Sequence, residues 1–138
     1  MWIGLVGSEM CIRDSLLVKD LGLKNPVKRI LEQTRTKELP DLMLGRWCIE
    51  CKRYGDGSEP SADWWNQVLI ASRNDNQIPA LVYKFNRKPL KVRILASSIN
   101  TEIENQDITV DLSWEDFISI IKELFLEDID LHEQSPQV

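Results

Sequence analysis

The chain has 138 residues, 43% of them apolar, and a net charge of −5, which suits one soluble domain with an ordinary core. No run approaches the ~20 apolar residues that span a bilayer, and three cysteines do not make a disulfide framework, so a reducing cytoplasm is the expected setting. The acidic total is unevenly spread: Lys24 to Arg93 holds 14 Lys/Arg against 8 Asp/Glu, whereas Ile94 onward holds one basic residue, Lys122, against 11 acids, an asymmetry that hints at polyanion binding by one face.

The apolar start, Met1 to Val6, lacks the basic flank and length of a signal peptide. Residues 1–15 show no helical period and no cap. They resemble translated sequencing-adapter sequence, which makes Leu16 the expected first natural residue. Residues 15–22 read as the last turns of a helix, stopped by Gly22 at a C′ position. The stretch Pro26 to Arg35 predicts a strand, and Asp41–Leu44 and Arg46–Arg53 predict two more, joined tightly at Gly45. A loop over 54–60 leads to a helix capped by Ser61, with Trp64, Trp65, Val68, Leu69 and Ser72 on one face. Asn74-Asp75-Asn76 ends it. Ile78–Phe85 predicts a central strand, Asn86–Pro89 a turn, and Leu90–Ala96 the next strand. A polar loop over 97–106 and a short edge strand over 107–112 follow. Ser113 then caps a helix over 114–126, and the tail after Asp128 is expected to fray. The order predicts an α/β fold with a mixed sheet flanked by helices, an αβββαββ core over 16–96. Residues 97–138 form an acidic C-terminal extension with a further strand and helix.

In a strand over 46–53, period two puts Trp47, Ile49 and Cys51 on one face and Cys48, Glu50 and Lys52 on the other. Eight residues, Leu42 to Ile49, separate Asp41 from Glu50, a spacing that a tight hairpin closes. Two carboxylates and a backbone carbonyl, that of Cys51, make a hard, oxygen-rich site of the kind Mg²⁺ prefers, with Mn²⁺ able to replace it. Lys52 beside them can orient an attacking water or neutralise charge on a phosphate. Glu-x-Lys alone is a weak signal, frequent on exposed strands; Pro40-Asp41 at this distance strengthens it.

The run Leu39-Pro40-Asp41-Leu42 with Trp47-Cys48-Ile49-Glu50-Cys51-Lys52-Arg53 resembles the PD-(D/E)XK nuclease signature. The stretches 31–35, 64–67, 78–83 and 86–89 are similar to those of small phage and prophage Holliday junction resolvases, over roughly 16–94. The resemblance implies a restriction-endonuclease-like fold and Mg²⁺-dependent cleavage of DNA. It assigns Asp41 and Glu50 as metal ligands, Lys52 as the catalytic lysine and Gln67 as the polar residue on the following helix that supports the site. It also implies a phage or prophage protein acting in the bacterial cytoplasm as a homodimer, since resolution takes two coordinated nicks. A further glutamate on the first helix is usual in the family. Nothing in residues 1–15 matches it, Glu9 included, so this chain is expected to cleave poorly.

Lys28, Arg29, Arg35 and Lys37 beside the site, Arg53 next to Lys52, and Arg87 and Lys88 at a turn are the expected DNA contacts, with Lys91 and Arg93 extending the second patch. Cys48 and Cys51 face opposite sides of a strand, so zinc or redox use is not expected. Of Trp64 and Trp65, one is expected to pack on the sheet and the other to lie at its margin. The acids of the last helix, Asp128 among them, read as a solvated face. The competing functions are a non-catalytic DNA-binding module of the same fold and a generic duplex-DNA nuclease.

Overall fold

A five-stranded mixed sheet organises the described residues of this computed structural model, which are 16–27, 42–72 and 77–134. A helix at residues 16–21, α1, ends at Gly22 with φ +66°. There the Leu23 N–H donates to Val18 O at 2.9 Å and the Gly22 N–H to Lys19 O at 3.3 Å. That pair of bonds is the Schellman closure, and glycine makes its left-handed position cheap. Strand β1 (Leu42–Leu44) and strand β2 (Trp47–Arg53) form a hairpin, pairing Leu42 with Ile49 and Leu44 with Trp47. The turn between them opens on Gly45 at φ +56°, as a two-residue hairpin demands.

Helix α2 (Ala62–Ala71) follows, its first turn closed by the Ser61 hydroxyl, which accepts from the Trp64 N–H at 3.3 Å. It carries the chain back to β3 (Ile78–Lys84), which lies parallel to β2. A parallel pair requires such a crossover. Strand β4 (Lys91–Leu95) and strand β5 (Thr109–Ser113) add antiparallel neighbours, so sheet order follows chain order and β3 is interior. Ser113 ends β5 and caps α3 (Trp114–Leu124), accepting from the Asp116 N–H at 3.1 Å. After Phe125 the chain forms α4 (Leu126–Gln134).

Strand alternation sends side chains into two apolar layers. Trp47, Ile49, Cys51, Ala80, Val82, Val92 and Ile94 pack with Leu17 and Leu21 of α1 and with Trp114, Phe117 and Ile121 of α3. On the opposite face Leu81, Tyr83, Phe85 and Leu95 pack against Trp65 and Val68 of α2. Each fully buried aliphatic or aromatic side chain contributes ~1.5–3 kcal/mol, so these two layers carry most of the fold's stability. The predicted α/β class and flanked mixed sheet are present, and β3 is the buried strand its apolar run predicts. No helix among the described residues is long and apolar enough to cross a membrane.

Three expectations change. Pro26 and Val27 are not in a strand, and the rest of the strand predicted there lies outside the described residues. The last predicted helix stops at Leu124 rather than at 126, because Phe125 leaves helical geometry (φ −126°, ψ 39°) to turn its ring into the core. The tail forms α4 instead of fraying, since its inward face is polar and docks by hydrogen bonds. Asp128, 1% exposed, takes Arg46 Nε at 2.9 Å and Nη2 at 2.9 Å, and also accepts from the Arg46 N–H. Glu133 receives the N–H groups of Lys24 and Asn25 at 2.7 and 3.0 Å, and His132 Nε2 lies 3.1 Å from Asn25 O. Asp128 is therefore an anchor and no part of a solvated face.

Candidate functional site

The hairpin register positions the candidate site. The last pair of the described β1–β2 ladder is Leu42 with Ile49. Glu50 follows Ile49, and Asp41 is the residue joined to Leu42; Asp41 itself lies outside the described residues, as do Lys28, Arg29, Arg35 and Lys37. Glu50 and Lys52 are both half-buried and share the α2 face of β2, opposite the face on which Trp47, Ile49 and Cys51 enter the core. The split predicted from alternation is observed.

Across the sheet, register continues this face. Glu50 lies beside Leu81, Leu81 beside Arg93, and Arg93 beside Asp111; Lys52 lies beside Tyr83, and Tyr83 beside Lys91. The Lys52 ammonium stands 5.6 Å from the centroid of the Trp64 ring, within cation–π range. Trp64 stacks on Tyr54 at 3.5 Å, and Tyr54 stacks on Phe85 at 4.4 Å. Trp65 is buried against the sheet while Trp64 is half-buried at its margin, which is the predicted division of the two. Gln67, also half-buried, sits three residues beyond Trp64 and so on the same flank of α2.

A second group of polar side chains occupies the same face. Arg93, 15% exposed, donates from Nε to Asp111 Oδ1 at 2.8 Å, from Nη2 to Asp111 Oδ2 at 3.0 Å and to Glu59 at 3.1 Å. The Tyr83 hydroxyl donates to Asp111 Oδ2. Burial works to raise the Asp111 pKa, but the hydrogen bonds from Arg93 and Tyr83 outweigh it and hold the carboxyl below its usual range. Burial, then Asp111, push the Tyr83 phenol well up. Burial takes Tyr54 up to about 12, with Ser61 and Arg93 pulling the other way. Arg93 is thus committed to two carboxylates, and the expected basic patch loses it. Alternation alone places Arg93 on this face, but the acid it meets is fixed by strand register.

The basic residues that remain gather at the end where β2 and β3 both finish. Arg53 pairs with Lys84 in register and donates from Nη2 to Asn86 Oδ1 at 3.3 Å. Arg87, at φ +61°, and Lys88 are exposed in the same turn. The C-terminal ends of parallel strands are where open α/β sheets usually bind ligands. Cys48 and Cys51 are both buried.

Among the described residues no three His, Cys, Asp or Glu side chains gather as a metal-binding group. The described donors of the expected set are the Glu50 carboxylate and the Cys51 carbonyl. Both are hard oxygens that suit Mg²⁺ in kind, and the set needs the carboxylate of Asp41 to suit it in number. Set against family models, curated proteins and solved structures, the chain finds no match.

Proposed function

We propose that the chain is a Mg²⁺-dependent DNA endonuclease of the PD-(D/E)XK kind, acting on branched DNA of the Holliday junction type as a homodimer. The observation that carries the reading is the placement of Glu50 and Lys52 on one face of β2. They lie immediately past the Leu42–Ile49 pair, on a hairpin that leads through α2 into the parallel strand β3. Asp41, Glu50 and the Cys51 carbonyl would hold the ion, which when bound supplies charge neutralisation at the phosphate and activation of water. Lys52 orients the attacking water and stabilises charge that builds on the phosphate oxygens. Gln67 supports that arrangement from α2. Water oxygen bonds to phosphorus, one P–O ester bond breaks, and the leaving oxygen takes up a proton. Arg53, Arg87 and Lys88, with Lys28, Arg29, Arg35 and Lys37, grip neighbouring phosphates.

The test compares a labelled four-way junction with a linear duplex of the same sequence, with Mg²⁺ or Mn²⁺. It uses the chain and a version carrying a glutamate-bearing helix ahead of Leu16. Junction cleavage is expected to exceed duplex cleavage and to fall at least about 100-fold in Lys52→Ala. Equal cleavage of both substrates would leave a generic nuclease. Junction binding without Lys52-dependent cleavage in either version would leave a non-catalytic binding module.

A further inference from the structure

The Lys52–Trp64 contact extends the proposed chemistry to a residue outside the metal and lysine set. A lysine side chain is a flexible four-carbon stem, and holding its ammonium at one place costs rotamer freedom. On the α2 face the neighbouring acids Asp111 and Glu59 are both taken by Arg93, and Asp111 also receives the Tyr83 hydroxyl. Tyr83 is the residue directly beside Lys52, so the strand next door offers it an already engaged phenol. The indole of Trp64 lies 5.6 Å from Nζ and adds a ring contact to an ammonium that has Glu50 two residues back on the same strand face.

That residue is itself braced: the Trp64 backbone N–H donates to the Ser61 hydroxyl, its ring lies on Tyr54, and Tyr54 lies on Phe85. Gly57 backs the stack, because a Cβ there would come within 2.9 Å of the Phe85 ring. A ring braced this way limits the volume that the ammonium can sample.

We propose that Trp64 is a positioning residue for Lys52, its ring face holding the ammonium on the α2 side of Glu50 for use at the scissile phosphate. The inference rests on the nuclease reading for the use of Lys52, and on the contact alone for its position. The contact is read without any cleavage. Reductive ¹³C-methylation of the lysines, with Lys52→Arg to identify the signal, is expected to show Lys52 methyls moved upfield by the indole ring current. The shift should vanish in Trp64→Leu and persist in part in Trp64→Phe.

In cleavage, Trp64→Leu is expected to lower kcat about two- to fivefold with KM unchanged, the range of an exposed cation–π contact, and Trp64→Phe to recover most of it. Thermal unfolding of both variants separates a folding defect from a positioning one, since a stability role would follow the melting temperature and not the ring. An unshifted Lys52 signal, or equal kcat in Trp64→Leu and wild type while Lys52→Ala is dead, would overturn the inference and leave the nuclease standing. Absence of Lys52-dependent cleavage both in the chain and in the version with a glutamate-bearing helix would overturn the nuclease reading, and the positioning role with it.

Discussion

At the scale of single residues, the ion pair between Arg46 and Asp128 shows how burial makes two partners unequal. Asp128 is enclosed and Arg46 is half exposed, at 1% and 50%. The hydrogen bond to Asp128, with its charge, lifts the guanidinium pKa further above its ordinary range. Removing the acid strips partners from the Arg46 backbone N–H as well as from its side chain. Removing the arginine side chain leaves the backbone bond, but it also leaves a buried carboxylate short of its cation. Uncompensated buried charge is the larger cost. Arg46→Ala is therefore expected to destabilise by about 3 kcal/mol and Asp128→Ala by about 2 kcal/mol, with the double variant costing less than their sum. Denaturant unfolding of the three variants measures the coupling, and additive losses would mean that the pair is not a unit. The two tyrosines give a spectroscopic test at the same scale. Tyr54 and Tyr83 are the chain's only tyrosines, and both have raised pKa values in the fold. A raised folded pKa means that their contribution is fully present below the unfolded value near about 10 and is lost as pH rises through the folded values. Tyrosinate absorbance is thus expected to stay flat past pH ~10 and to rise together with unfolding; a step near 10 in folded protein would contradict the burial assigned to either ring.

Between elements, the tightest approach is that of α4 to the β1–β2 turn. A Cβ at Gly45 would meet Asp128 backbone and side-chain atoms at 2.6–2.8 Å, and the φ of +56° is one that alanine resists. Gly45→Ala is expected to cost ~2 kcal/mol or more. Much of the loss should appear as faster amide exchange across α4, since the helix must move away from the turn. Uniform exchange changes across the whole fold would show instead that the turn, and not the docking, is what fails. This junction also marks where the sequence stops being legible. The two-residue period of Trp47 to Lys52 was enough to separate the core face from the Glu50–Lys52 face. Gly22, Ser61 and Ser113 announced helix ends through chemistry confined to one turn. Helix α4 has no apolar stripe to announce it, because it docks through Asp128, His132 and Glu133 onto groups more than 80 residues away. The pairing of Arg93 with Asp111 and the seat of Lys52 on Trp64 were hidden for a related reason. One depends on the β4–β5 register and the other on how α2 rotates against the sheet, and neither leaves a local mark.

For the whole molecule, the uneven charge of the sequence becomes a spatial division. Lys52, Arg53, Lys84, Arg87 and Lys88 lie towards the end where β2 and β3 finish. The acids of α3, Glu115 and Asp116 in its first turn, belong to a helix packed on the sheet face away from Lys52. On the proposed nuclease function, DNA drawn to the basic end would reach the α2 face without meeting the acidic helix. Salt dependence tests this orientation independently of cleavage, because each phosphate contact releases counterions on binding. Replacing Arg53, Arg87 and Lys88 together by alanine removes up to three such contacts. The slope of log K against log salt on duplex DNA is then expected to become shallower by about 2.7. Arg87 and Lys88 are exposed, and thermal unfolding of the triple variant separates a loss of DNA contacts from a loss of fold at Arg53, which also bonds Asn86. Glu115→Gln with Asp116→Asn serves as the comparison and should leave the slope as it was. An unchanged slope in the triple variant would place the DNA elsewhere, and a slope altered by the α3 pair would put it across the acidic face, where phosphate repulsion argues against it.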